Sequence, residues 1–283
     1  MRLFILGLGY SARCFVRLFG GHFSHIAGTV RDPAQRGDLA GIEVYRFSGS
    51  NPDRGTVQRI GDADVLLISI PPGSAGDPAI AAFPDMLAAD RHRRIIYLST
   101  IGVYGDHAGG WVDESTPPQA SLDRTRMRVA AEQAWTDTTS GDAAILRLAG
   151  IYGPGRNALV TLRAGMARRI IKPGQVFNRV HVDDIASAIM AAVHHPSGGT
   201  WNVCDDEPAP PQDVITYAAK LMNVAPPPEE VFETAEMSVM ARSFYASSAR
   251  VSNAKLKREL GVTLAYPSYR HALDALWQAG EGR

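Results

Sequence analysis

Apolar residues in the first half of the chain come in short unbroken runs rather than in alternation. RLFIL (2–6), HIAGTV (25–30), EVYRF (43–47), DVLLISI (64–70), RIIYLS (94–99) and AAILRL (143–148) are each bounded by turn-forming or polar residues. Several are β-branched and apolar at consecutive positions, which suits strands covered on both faces, as in a parallel sheet. Helical patterns lie between most of them, at 11–20, 53–60, 78–90 and 122–139. That alternation predicts an α/β fold built on a doubly wound parallel sheet. VDDIASAIMAAVHH (182–195) is a further helix, with Asp183 and Asp184 in its first turn and His194 and His195 in its last, as the helix dipole favours.

The pattern changes near residue 205. DEPAPPQ (206–212) and VAPPPEE (224–230) are proline-rich breaks, and QDVITYAAKLM, SNAKLKREL and SYRHALDALW are shorter helical stretches around them. The expected organisation is a first domain over 1–205 and a smaller lobe over 206–283, with 155–178 contributing to the lobe. EMSVMARSF (236–244) either covers a cleft or packs the lobe. Ser252 or Asn253 is the expected cap of the helix that follows.

Composition narrows the functional classes. Formal net charge is +0, so no long-range field gathers nucleic acid or an anionic membrane. The two cysteines, Cys14 and Cys204, form no metal or redox spacing and fit a reducing, cytoplasmic setting. The N-terminal apolar run of about six residues is too short for a secretory signal. No run approaches the roughly 20 apolar residues of a membrane span. No metal is expected: Asp205, Asp206 and Glu207 read as an acidic turn before Pro208.

RLFILGLGYSARCFVRLF reads as strand, glycine turn and helix, with G-x-G-x-x-A at Gly7, Gly9 and Ala12. The first glycine permits the tight turn, and the second lets a diphosphate approach the backbone. Ala12 keeps helix and strand close, and the helix N-terminus offers free N–H groups to the anion. The pattern alone is weak; directly after the first strand of an alternating chain it is in the context a dinucleotide site requires. Tyr10, Ser11 and Ser69 are assigned to the same site. Past the second run, GTVRDP puts Arg31 about 20 residues beyond the glycines. A guanidinium there suits a 2′-phosphate, hence NADP. In the other reading Arg31 is solvated and Asp32 takes the ribose of NAD.

Longer motifs follow in order. YLSTIGVYGD (97–106) resembles the strand-end segment of the extended short-chain dehydrogenase/reductases, the NAD-dependent epimerase/dehydratase family. LRLAGIYGPGRN (146–157) is similar to that family's R-x-x-x-x-Y-G-P stretch, and NRVHVDDIASAI (178–189) to its H-V-x-D helix start. WNVCDDEP (201–208) and LGVTLAYPSY (260–269) match as well. The resemblance implies a Rossmann-type domain carrying a small C-terminal α/β substrate lobe, a dinucleotide cofactor, a small-molecule substrate and pairing into a homodimer.

It also implies a catalytic Ser or Thr, a Tyr and a Lys. The Ser/Thr slot is Thr100. Counting back from Glu132 in the A-A-E helix puts Arg128 in the Lys slot and Arg124 in the Tyr slot. The pair lies four residues apart, on one helix face, whereas Arg126 points elsewhere. Arg stays protonated to beyond about pH 12 and cannot act as a base, but it can hold ribose hydroxyls, bind an anion or stabilise an oxyanion. Tyr104 is the candidate for a relocated acid. Where many sugar-nucleotide members carry a phosphate-binding Arg, this chain has Phe177, with an arginine at 179 instead. These departures resemble an atypical branch of the family. His181 is expected to anchor the start of its helix. The function expected is an NAD(P)-binding, epimerase/dehydratase-like oxidoreductase acting on a small substrate, a sugar or an anionic metabolite. The alternative is a non-catalytic NADP(H) sensor or regulatory protein.

Overall fold

The apolar runs form one parallel sheet in the computed structural model, which describes every residue except 33, 35–38, 40 and 90–92, with 88 and 89 described by backbone alone. Across the sheet the strands run Gly199–Val203, Ala144–Leu148, Arg94–Thr100, Val65–Ile68, Arg2–Leu6, His25–Val30 and Glu43–Arg46. Val65–Ile68 and Ala144–Leu148 are buried at every position, as cover on both faces demands. Helices Tyr10–Phe19 and Val182–His194 supply Phe15, Ile185 and Ile189 to one apolar layer. Arg54–Asp62 and Asp123–Thr138 supply Ile60, Ala131 and Trp135 to the other. The strand order reverses between Arg2–Leu6 and Val65–Ile68. A doubly wound sheet opens its crevice at the carboxyl ends of the strands beside such a reversal.

The structure departs from the sequence pattern at one helix and one edge strand, and of the two expected caps at 252 and 253 it uses Ser252. The expected helix over 78–90 is two, Pro78–Ala82 and Pro84–Ala89, with Phe83 at φ −135 between them. Pro84 lacks the N–H that would continue the ladder and biases the residue before it away from helical angles. Residue 90 lies outside the described residues. The edge strand Gly199–Val203 was not among the expected strands; Thr200 and Asn202 interrupt its apolar pattern. Asn253 stands at the N-cap of Ala254–Leu260 but sends its amide to Cys204 O and Asp206 Oδ1, and Ser252 Oγ accepts from Ala254 N instead.

Beyond the sheet, Pro211–Leu221 and Tyr269–Gln278 enclose a separate apolar cluster with Tyr152, Leu159 and Val214. Ile170, Ala235 and Tyr245 form another. The short strands Gly150–Tyr152 and Arg179–His181 pair in parallel and set Tyr152 opposite His181. Among the described residues no helix is long and apolar enough to cross a membrane.

Candidate active site

The glycine turn is clamped to the end of the second strand. Gly7 N donates to Thr29 Oγ1 at 3.0 Å and Leu8 N to Thr29 O at 2.8 Å. Gly7 has φ +100, and a Cβ there would come within 2.8 Å of Ile70 Cγ2. Gly9 is the N-cap of Tyr10–Phe19, and no side chain among the described residues satisfies the first-turn amides of that helix. A Cβ on Gly9 would meet nothing within 4 Å, so open volume stands before the helix N-terminus. Ala12 is 0 % exposed and Ser11 buried, which seats the helix tightly on the sheet. Ser69 is half-buried beside Gly7, its N–H donating to Leu6 O. Tyr10 turns away and donates to Pro154 O at 2.9 Å, with the Arg156 guanidinium 6.0 Å from its ring. Arg31 and Asp32 are both exposed past the second strand. Asp32 Oδ1 accepts from Ala34 N, closing a local turn, whereas Arg31 makes no side-chain hydrogen bond among the described residues.

At the other end of the crevice lies a cavity of about 780 Å³ lined by Thr100, Arg124, Arg128, Arg156 and Arg179 among others. Arg124 and Arg128 share the inward face of Asp123–Thr138, and Arg126 on the outer face pairs with Asp123. Arg128 Nη1 donates to Leu98 O at 2.7 Å and Tyr97 Oη at 3.0 Å. Arg124 Nη1 donates to Ser243 Oγ at 2.8 Å, and its guanidinium lies 4.9 Å from the Phe244 ring. Of the 236–244 stretch, Ser243 and Phe244 reach the cavity, whereas Met237 packs on the cluster around Ile170 and Tyr245, so both expected roles are divided along it. Thr100 Oγ1 accepts from Gly102 N at 3.1 Å, which caps the turn Ile101–Tyr104 and leaves the hydroxyl proton free.

Tyr104 is not brought to this cavity. It is 0 % exposed. Its hydroxyl donates to Asn202 Oδ1 at 2.8 Å and accepts from Arg147 Nη1 at 2.9 Å. Burial pushes the phenol up, and Arg147 beside it pulls the other way. The tight turn after Thr100 rotates this side chain into the core, where it closes a buried network. Glu132 accepts from Ser99 Oγ at 2.5 Å and from Arg147 Nη2 at 2.7 Å. The A-A-E glutamate therefore fixes how the arginine-bearing helix sits on the sheet.

His181 caps its helix, Nδ1 accepting from Asp183 N at 3.2 Å. Burial pushes it down to about 4, so the ring stays neutral and can accept. The acidic turn is held by protein partners: Asp206 pairs with Lys257 and Glu207 with Arg270. Asp205 is different. It is 3 % exposed, its Oδ2 has no partner, and burial pushes the carboxyl up to about 8.

The sequence reading did not assign Arg156, Tyr152 and Arg179 to the site. Arg179 and His181 stand two apart on one strand, and an alternation argument would have placed both side chains on one face. All charged residues lining the cavity are arginines; no carboxylate lines it among the described residues. The hydrogen-bond partners of Arg124, Arg128 and Arg179 among the described residues are neutral: a hydroxyl, a thioether, a phenol and carbonyls. Uncompensated guanidiniums around a recess favour an anion.

The model of the NAD dependent epimerase/dehydratase family matches residues 84–204, a span that holds the cavity's Thr100, Arg124, Arg128, Arg156 and Arg179. A solved protein of unknown function from Silicibacter pomeroyi is 46% identical, with 99% of each chain covered and a TM-score of 0.91. Protein YeeZ of Escherichia coli is 29% identical over 250 residues, 79% of this chain and 84% of that one. A Streptomyces 3-diazoavenalumate denitrifying reductase is 28% identical over 180 residues, 60% of this chain and 58% of that one.

Proposed function

Because the chain belongs to the NAD-dependent epimerase/dehydratase family, we propose that it is an NADP-dependent oxidoreductase that reduces a small anionic substrate. The observation that carries this reading is the arginine-lined cavity, with no carboxylate among its described lining residues, at the far end of the crevice from the glycine turn.

The residues present fit a dinucleotide. An uncapped helix N-terminus faces open volume at Gly9, and Gly7 occupies a conformation that no side chain tolerates well. Gly7, Gly9, Tyr10, Ser11, Ala12 and Ser69 would form the diphosphate end. Arg128, at the carboxyl end of Arg94–Thr100, would hold the nicotinamide ribose. Arg31 would take the 2′-phosphate, since it is exposed and makes no ion pair among the described residues, while Asp32 is engaged in its own turn. Bound there, the nicotinamide supplies or accepts a hydride.

The remaining chemistry belongs to the protein. Thr100 donates its hydroxyl proton in a hydrogen bond to the substrate oxygen and orients it. Arg124 keeps its proton throughout, so it stabilises negative charge that gathers on that oxygen and cannot remove a proton from an alcohol. The alkoxide left by hydride transfer would take its proton from water entering the cavity, since neither Thr100 nor Arg124 gives one up. The same water would accept the proton in the reverse direction, so the pair stabilises the charged oxygen without choosing the direction. The reductase among the relatives points to reduction.

Two variants test the reading. Arg31→Ala should weaken NADPH about 10- to 100-fold, the worth of an ionic hydrogen bond, and leave NADH nearly unchanged. Nicotinamide fluorescence reads both, and equal loss for the two removes the NADP assignment. Arg124→Gln should lower kcat for NADPH-driven reduction of carbonyl acids about 100- to 1000-fold, as for loss of one oxyanion donor, with NADPH affinity kept. Unchanged turnover excludes Arg124 from the chemistry. Tight NADPH binding with no turnover of any carbonyl acid would favour the sensor.

A further inference from the structure

Arg179 meets the lobe side of the cavity, its guanidinium 6.0 Å from the Tyr269 ring. Its Nη1 is fixed by Phe177 O at 3.0 Å and Ala209 O at 3.1 Å, and the other guanidinium nitrogens make no hydrogen bond among the described residues. It makes no ion pair among them either. The nearest candidate counter-charge is Asp205, which meets Arg179 only through its backbone N–H, 2.7 Å from Arg179 O. Burial pushes that carboxyl up to about 8, and Asp205 and Asp213 act on the guanidinium through space without pairing with it among the described residues. Beside it Tyr152, 9 % exposed and lining the same cavity, has a hydroxyl with no partner among the described residues. A buried phenol proton left unpaired carries a penalty that a ligand acceptor removes. The cavity lining also offers apolar surface from Ile151, Val176, Phe177 and Phe244.

We propose that Arg179 and Tyr152 form a carboxylate-binding subsite at the lobe end of the cavity, and that the substrate is a small acid with a flat apolar body lying between Phe177 and Phe244. This deepens the reductase reading and rests on it. The planar guanidinium, held at one nitrogen, offers its remaining donors to a planar anion, and the phenol adds a third. The reacting carbonyl then falls towards Thr100 and Arg124, at the opposite end from the carboxylate. Arg179 and Tyr152 are thus specificity residues for the acid group, distinct from those assigned to the dinucleotide.

The test uses the full chain saturated with NADP⁺ and three probes: benzoate, benzamide and inorganic phosphate, titrated by calorimetry. Benzoate should bind at least about tenfold tighter than benzamide, the two differing by one ionic hydrogen-bonding group. Arg179→Gln should reduce that preference to within about twofold, and Tyr152→Phe should weaken benzoate about three- to tenfold. Arg179→Lys, which keeps the charge but not the fork, should fall between. NADPH titration should be unchanged in all three, which also shows that each variant is folded. Equal binding of benzoate and benzamide overturns the subsite, as does a preference that survives in Arg179→Gln, or phosphate binding where benzoate does not. If the parent fails to bind NADPH, the failure lies with the reductase reading. Normal NADPH binding without a benzoate preference sinks the subsite alone.

Discussion

Alanine in place of Gly9 is expected to leave the melting temperature unchanged and to lower NADPH affinity at least about tenfold. The fold has no reason to respond, because a Cβ there meets nothing in the protein within 4 Å. The same methyl stands before the uncapped amides of Tyr10–Phe19, in the volume a diphosphate needs for close approach. Gly7→Ala is the contrasting variant. At φ +100 its Cβ would lie 2.8 Å from Ile70 Cγ2 and 3.1 Å from Ile70 N. Backbone strain of order 1–3 kcal/mol adds to that clash, so stability and affinity fall together. Calorimetry and nicotinamide fluorescence separate the two outcomes. An unaltered NADPH titration for Gly9→Ala would take the glycine turn out of the binding site, and every other cofactor assignment with it.

Glu132→Ala should destabilise the chain by about 3–5 kcal/mol in urea, the scale of removing one partner from a buried ion pair. Both side chains of the Glu132–Arg147 pair are 8% exposed. Arg147 would keep its charge with only the Tyr104 hydroxyl left to receive it, and Ser99 would lose its acceptor. Replacing the pair together, Glu132→Met with Arg147→Met, should recover most of the loss, since two apolar groups strand no charge. A single change costing less than about 1 kcal/mol would mean that other contacts fix the helix on the sheet.

Sequence patterning reveals those parts of this molecule whose causes are local. Two-sided burial writes the strands as unbroken apolar runs, and the glycine turn is contiguous with its strand and helix. The i, i+4 spacing puts Arg124 and Arg128 on one face, where the structure has them. Pro84 was visible too, yet the apolar period ran across it and concealed the break in 78–90. The lobe end of the cavity depends on distant pairing. Tyr152 and Arg179 meet because Gly150–Tyr152 pairs with Arg179–His181, and neither stretch signals the other. Asp205 reads as one of three surface acids until its burial is known. Tyr104 was legible as a tyrosine near Thr100, but its inward direction is set by a turn whose geometry composition does not encode.

Arg124 holds Ser243 through one guanidinium nitrogen while lining the recess. A ligand that took that nitrogen would loosen the Ser243–Phe244 corner, and by thermodynamic reciprocity loosening the corner would then strengthen the arginine's hold on the ligand. A ligand held by the remaining guanidinium donors would leave the corner in place.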